Sequence, residues 1–455
     1  MADLSCTIAG IRSPNPFWLA SAPPTDKAYN VERAYKAGWG GVVWKTLGED
    51  PPVINVSSRY GAHHDLERRM IGFNNIELIS DRPLAINLEE IAAVKKAWPD
   101  RALVVSLMAR MAEEAWADLA RKVEQTGADG LELNLGCPHG MCERGMGSAI
   151  GQVPEMVEQV TRWVKNATRL PVLVKLTPNI TNILWSAEAA RRGGADGISL
   201  INTVNSLISV DLDVMAPTPV VDGVGTHGGY CGTAVKPIAM HMVAEIARDP
   251  ETAHLPISGI GGITSWRDAA EFMALGAHGV QVCTAAMVHG FKIVEDMISG
   301  LSNWMDAKGY ATLPDLVRAA VPQVVNWNDL NMNFSTKAVI NPDLCIDCGR
   351  CHIACEDTSH QAIRIDVTPS LVAVDRHGGT PRRGKRIFTV IEDECVGCNL
   401  CAHICPVPDC ITMQPVKTGL PHVTWPNDPR NIAARGGSLP ASGQTPDQAA
   451  ATAAE

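Results

Sequence analysis

The chain has 455 residues, 46% of them hydrophobic, with 14 cysteines and a formal net charge of -10. This excludes a disordered chain and offers no basic surface for nucleic acid, and no apolar run approaches the roughly 20 residues of a membrane helix. No basic segment followed by an apolar one opens the sequence, so a cytoplasmic protein is expected, and in that setting the cysteines point to metal or redox use rather than disulfides.

Apolar runs bounded by Gly or Pro recur at 17–22, 41–46, 103–108, 131–136, 172–177, 197–203, 257–262 and 280–285. Most are continuously apolar, as in strands buried on both faces. Helical spacing lies between most of them, at 113–126, 154–167, 183–192, 237–248 and 266–275. Three of these helices run into Gly-Ala-Asp-Gly or Gly-Ala-His-Gly (127–130, 194–197, 276–279), where glycine stops a helix before a strand. Eight strands with alternating helices predict an α/β fold, a (β/α)8 TIM barrel over 1–324; an open doubly wound sheet is the alternative. Segment 48–84 is too long for a simple connection and is expected to pass over the barrel mouth. Helices at 292–307 and 313–321 would follow the last strand.

Several strand ends carry chemistry. The fourth run leads through Asn134 to Cys137 and Pro138, and proline must end the strand there. Cys137 is then either a small core residue or a reactive thiol under the glycine-rich stretch 139–151, which reads as a mobile loop. Lys45 and Lys175 sit inside apolar strands, where an idle ammonium costs too much. An anionic ligand or an electron-rich ring is favoured over a core carboxylate as the partner of each. The seventh run ends in Gly261-Gly262-Ile263 and the eighth in Cys283-Thr284. Those are the places where barrels hold phosphate, with a helix start adding its field. Gly223-x-Gly225-x-x-Gly228 follows no clear strand and opens no helix, so it is expected to be a loop rather than a dinucleotide site.

Beyond a connector at 325–334, a second domain is predicted over 335–415. Cys345-x2-Cys348-x2-Cys351-x3-Cys355 and Cys395-x2-Cys398-x2-Cys401-x3-Cys405-Pro406 have the bacterial two-cluster ferredoxin spacing. In that arrangement the fourth cysteine of each run serves the other cluster. Cys345, Cys348, Cys351 and Cys405 would hold one [4Fe–4S] cluster, and Cys395, Cys398, Cys401 and Cys355 the other. Zinc needs four ligands and seldom a third cysteine at this spacing. Glu356 stands where a proline often follows, Cys410 reads as a buried spare, and the polar, basic segment 370–386 reads as a solvated loop rather than a docking surface. Residues 416–455 are expected to be disordered. Iron–sulfur centres joined to a phosphate-binding barrel call for a redox cofactor in that barrel, and FMN fits.

Three strings carry a resemblance: Asn134-Leu-Gly-Cys-Pro-His-Gly-Met-Cys-Glu-Arg-Gly-Met-Gly147, Asn75-Ile-Glu-Leu-Ile-Ser80 and Gly232-Thr-Ala-Val-Lys-Pro237. With the cysteine runs, they make residues 1–415 resemble the dihydropyrimidine dehydrogenases, in particular the FMN/iron–sulfur subunits of the bacterial NAD-dependent enzymes. The resemblance implies that Ser21, Lys45, Thr46, Lys175, Gly232, Gly261, Gly262, Ile263, Cys283 and Thr284 line FMN. It implies that Asn75, Glu77, Asn134, Asn202 and Thr203 contact a pyrimidine and that Cys137 is the general acid. The implied reaction is reversible reduction of the C5–C6 bond of uracil or thymine, in pyrimidine degradation. Hydride would come from FMN and a proton from Cys137. Electrons would pass between the clusters and a partner iron–sulfur subunit carrying FAD and the NAD(H) site, in a heterotetramer. One departure stands out: the family often has Ser before the catalytic Cys, and this chain has Gly136.

Other readings are a tRNA dihydrouridine synthase, a dihydroorotate dehydrogenase, and an electron carrier with an inert barrel. The acidic charge and the ferredoxin runs oppose the first, and the ferredoxin tail opposes the second. The set Lys45, Asn134, Cys137 and Lys175 opposes the third.

Overall fold

The computed structural model describes residues 2–367 and 386–432. The chain divides into two compact units, Met1–Val324 and Val325–Glu455. No helix among the described residues is long and apolar enough to cross a membrane.

Eight parallel strands close the first unit into a barrel in sequence order. They are β1 (Phe17–Leu19), β2 (Gly41–Leu47), β3 (Ala102–Leu107), β4 (Gly130–Asn134), β5 (Val172–Lys175), β6 (Gly197–Leu200), β7 (Ile257–Ile260) and β8 (Ala277–Val282). Every residue of β1 through β7 is buried, which is why these strands read as unbroken apolar runs. Pairing of β8 with β1 closes the ring and removes the open-sheet alternative. Helices Glu113–Glu124, Pro154–Ala167, Ile183–Arg192, Lys236–Arg248 and Trp266–Ala274 stand where the sequence placed them. Ala28–Ala37, Leu84–Ala97 and Ile293–Lys308, the last expected over 292–307, complete the outer ring. The helix expected over 313–321 is shorter, Leu313–Leu316. Arg318 has φ +71 and turns its guanidinium onto the carbonyls of Ala247 and Ala253, so the helix cannot continue.

Segment 48–84 forms the antiparallel pair Tyr60–His64 and Met70–Asn75. The connection after β6 supplies Val204–Ser206 and Gly228–Cys231, and the four strands join in one sheet. The glycines at 223–228 therefore lie in paired strands and their turn rather than in a loop: Val221 pairs with Val224, and Gly229 pairs with Asn75. The glycine-rich stretch 139–151 also has structure, a 3-10 turn Cys142–Arg144 and a helical turn Ser148–Gly151. Its Ser148 N–H donates to the Cys137 carbonyl at 3.0 Å, which ties it to the end of β4.

In the second unit, Thr336–Ile340 pairs antiparallel with Ile411–Pro415, and Ile363–Val367 with Arg386–Val390. Each cysteine run lies between one strand of the outer pair and one of the inner pair, so the two halves interleave. Pro406 follows a helix that ends at Ile404, whereas Glu356 lets the helical backbone of the first run continue to Asp357. Composition suggested disorder from 416 onward, but residues 416–432 are ordered. Trp425 packs edge-on against Trp327 at 5.7 Å, Asn333 Nδ2 donates to the Pro421 carbonyl, and Asp428 is buried. Residues 433–455 and nearly all of 370–386 lie outside the described residues.

Candidate active site

A cavity of about 380 Å³ opens at the C-terminal ends of the barrel strands, under the four-stranded sheet. Ser21, Lys45, Thr46, Lys175, Gly232, Gly261, Gly262, Ile263, Cys283 and Thr284 all line it, and so do Asn75, Glu77, Asn134, Cys137, Asn202 and Thr203. Residues scattered from position 21 to 284 meet here because each lies at or just beyond a strand end, or on the sheet that covers the mouth.

Both lysines have carboxylate partners within the chain. Lys45 Nζ lies 2.5 Å from Glu77 Oε1, and Lys175 Nζ lies 3.4 Å from Glu132 Oε1. Each lysine is 6% exposed or less, and burial at that level requires a partner. Glu77 also pairs with Arg59 and accepts from the Tyr60 hydroxyl at 2.8 Å. Its carboxylate thus ties the covering sheet to β2. Arg59, Tyr60 and Glu132 carried no expectation from the sequence, although Leu-Glu-Leu within β4 had the same signal as the lysines: a charge inside an apolar run.

Asn134 and Asn202 form one chain of hydrogen bonds. Asn202 Nδ2 donates to Asn134 Oδ1 at 2.9 Å, and Asn134 Nδ2 donates to Thr46 Oγ1 at 3.0 Å. Thr46 Oγ1 lies 3.1 Å from Ser21 Oγ, and the Thr203 N–H donates to Asn202 Oδ1 at 2.8 Å. Gly136 is the neighbour that permits this: a Cβ there would lie 2.5 Å from Asn202 Cβ and 2.7 Å from its Nδ2. Gly136→Ser should therefore push Asn202 off Asn134, at a cost of about 1–3 kcal/mol. The expected readout is a melting temperature lowered by several degrees, and an unaltered one would show that the contact is irrelevant.

Cys137 is 8% exposed, and its thiol faces the His139 carbonyl at 3.5 Å. Burial pushes the thiol up to about 11, above its usual range. His139 Nε2 lies 2.9 Å from the Glu77 carbonyl oxygen, so the Cys137 loop and the covering sheet are joined.

In the second unit, two cavities separate the cysteines into two sets. Cys345, Cys348, Cys351 and Cys405 line one, with Ile340, Phe388 and Ile411. Cys355, Cys395, Cys398 and Cys401 line the other, with Ala338, Ile363 and Met413. Each set takes three thiols from one run and the fourth from the other. The spare Cys410 is 2% exposed and also borders the first cavity.

Residues 3–305 match the dihydroorotate dehydrogenase family, and residues 338–413 match the 4Fe-4S dicluster domain. The chain is 42% identical over 416 residues to the NAD-dependent dihydropyrimidine dehydrogenase subunit PreA of Escherichia coli (strain K12), covering 91% of this chain and 96% of that one. It is 42% identical over 337 residues to the chloroplastic dihydropyrimidine dehydrogenase (NADP(+)) of Arabidopsis thaliana, covering 72% and 79%. It is 36% identical over 326 residues to the catalytic subunit of dihydroorotate dehydrogenase B (NAD(+)) of Pyrococcus horikoshii, covering 70% and 98%. The chain belongs to the dihydropyrimidine and dihydroorotate dehydrogenase family. It is an oxidoreductase, a flavoenzyme barrel joined to an iron–sulfur domain.

The cavity of this dehydrogenase fits a flavin. Gln281 Oε1 is buried without a hydrogen-bond partner on its wall, and Gly261 and Gly262 form a backbone cradle after β7. Gly262 has φ +72, and a Cβ on it would lie 2.8 Å from Lys236 Cβ and 2.9 Å from the Gly232 carbonyl. The helix start offered to a phosphate is already capped: Asp268 Oδ2 accepts from the N–H groups of Thr264 and Ser265, both at 2.9 Å. After β7 the glycine backbone, rather than this helix start, is left for an anion. Gly262→Ala should weaken flavin retention roughly tenfold or more. The ratio of flavin absorbance to protein after gel filtration measures it, and an unchanged ratio would remove Gly262 from the cradle.

Proposed function

We propose that this chain is the catalytic subunit of an NAD-dependent dihydropyrimidine dehydrogenase, and that it reversibly reduces the C5–C6 bond of uracil or thymine. The observation that carries the reading is the convergence of a buried acid thiol and a chain of amides on one cavity. FMN in that cavity would supply hydride to one ring carbon. Ser21, Lys45, Thr46, Lys175, Gly232, Gly261, Gly262, Ile263, Cys283 and Thr284 would hold it.

The chain's own residues do the rest. Asn75, Glu77, Asn134, Asn202 and Thr203 bind and orient the pyrimidine, whose alternating C=O and N–H groups suit amides that both donate and accept. A ring lacking one of those groups leaves a buried partner unsatisfied, at about 1–3 kcal/mol. Cys137 delivers a proton to C5 in reduction and, as thiolate, removes it in the reverse direction. The covering sheet and the loop after Cys137 exclude water from the ring. Each set of four cysteines would hold one [4Fe–4S] cluster, and the two would supply electron transfer to and from a partner subunit with FAD and an NAD(H) site. The dicluster match and the two four-cysteine cavities support that arrangement. The name of the Escherichia coli relative, a subunit, supports a multi-chain enzyme, which we place as a heterotetramer.

The decisive experiment mixes the purified chain with its FAD partner, NADH and uracil and looks for dihydrouracil. No turnover of uracil, thymine or their dihydro forms would overturn the reading.

A further inference from the structure

Beneath the cavity lies a polar cluster centred on a carboxylate that the site above does not use and reaches only through Gln281 and Lys175. Glu132, on β4, is fully buried inside the barrel. Its Oε2 accepts from Ser199 Oγ of β6 at 2.8 Å and from Gln281 Nε2 of β8 at 2.9 Å. Gln281 Nε2 also lies 3.2 Å from Ser258 Oγ of β7. Glu132 Oε1 takes no hydrogen bond and faces Lys175 Nζ of β5 at 3.4 Å. One carboxylate oxygen is thus pinned by two donors, and the other is turned toward a single ammonium that lines the cavity.

Barrel interiors are ordinarily filled by branched apolar side chains. A carboxylate there is costly unless something needs its charge. The two cavity lysines also differ in what neutralises them. Lys45 is paired from the mouth side by Glu77, which the covering sheet shares. Lys175 is paired from below by a carboxylate that belongs to the rigid barrel.

We propose that Glu132 is a positioning residue: it holds the Lys175 ammonium at the cavity floor and sets how much positive charge a bound flavin feels. The inference rests on the flavin site of the proposed function and goes beyond it, because Glu132 touches neither cofactor nor substrate. Charge beside a flavin ring tunes its readiness to accept electrons. With Glu132 neutral, the full charge of Lys175 would favour the electron-rich reduced form.

The test uses the flavin-loaded full chain, poised against a reference dye without any pyrimidine. Glu132→Gln keeps the shape, and its amide oxygen can still accept from Ser199 and Gln281, which leaves the uncharged NH2 facing Lys175. It is expected to bind flavin normally and to shift the reduced-to-oxidised ratio toward reduced by roughly tenfold, the effect of one pKa unit of charge interaction. An unchanged ratio, or a shift toward oxidised, overturns the proposal. Removing one member of a buried pair is harsher than removing both, so the double variant Glu132→Gln/Lys175→Met serves if the single one does not fold. It should shift the ratio toward oxidised relative to the parent chain, since the positive end of the pair is gone. A ratio equal to the parent's, or above it, would also overturn the proposal. Because uracil plays no part, failure of the substrate assay and failure of this inference remain separate results.

Discussion

Cys137→Ala should keep its flavin and iron while uracil turnover falls by about 10²–10⁴-fold, the usual worth of a positioned general acid. The side chain is small, and its one polar contact is the carbonyl two residues away, so little of the fold depends on it. Rapid mixing with the partner subunit and NADH should bleach the flavin at the parental rate, and only oxidation by uracil should slow. Undiminished turnover would take Cys137 out of the reaction. The pH dependence has a definite sign. Burial raises the thiol to about 11, so the proton is fully present below that value and is lost as pH rises through it. Reduction of uracil should be insensitive to this group across the neutral range and decline only toward pH 11. On the proposed mechanism, oxidation of dihydrouracil uses the thiolate, and should rise with pH until the same point. A reduction rate that halves near pH 8.5, where an ordinary thiol titrates, would contradict the burial argument.

Cys405→Ala is expected to remove one cluster and spare the other, with about four of eight irons per chain lost. The cluster lost should be the one on Cys345, Cys348 and Cys351, because Cys405 lines their cavity and not that of its own run. Electron flow from NADH through the partner subunit should fall by at least about 10²-fold, while chemically reduced flavin still reduces uracil. Analysis of iron content, with paramagnetic resonance of Cys405→Ala beside Cys348→Ala and Cys398→Ala, separates the two centres. If Cys405→Ala loses the same centre as Cys398→Ala, rather than the one lost by Cys348→Ala, the interleaved assignment is wrong.

The barrel was legible because strands buried on both faces leave unbroken apolar runs, and glycine marks where each helix stops. The ferredoxin arrangement was legible because cysteine spacing is itself a geometric constraint. The covering sheet was not. Val204–Ser206 and Tyr60–His64 are short, and the partners across it, Asn75 and Gly229, are far apart in the chain. No local pattern announces such a pairing. The partners of the lysines were hidden for a similar reason. A charge in an apolar run says that a partner exists, but Glu77 and Glu132 could be matched to Lys45 and Lys175 only once the strands were in register. Gly136 changed most. As a sequence feature it was a missing hydroxyl, and in the structure it is the space that Asn202 fills.

The outer strand pair of the second unit also constrains how a ribosome can make this protein. Thr336–Ile340 finds its partner only at Ile411–Pro415, some 70 residues later. At about 5–20 residues per second, the first strand and the first cysteine run wait several seconds for the segment that completes them. During that interval three thiols are displayed with the fourth not yet synthesised. Cluster loading of this unit is therefore expected only after Cys405 and the strand that follows it have been made, and cells short of sulfide or iron should accumulate a chain whose barrel is finished and whose second unit is not.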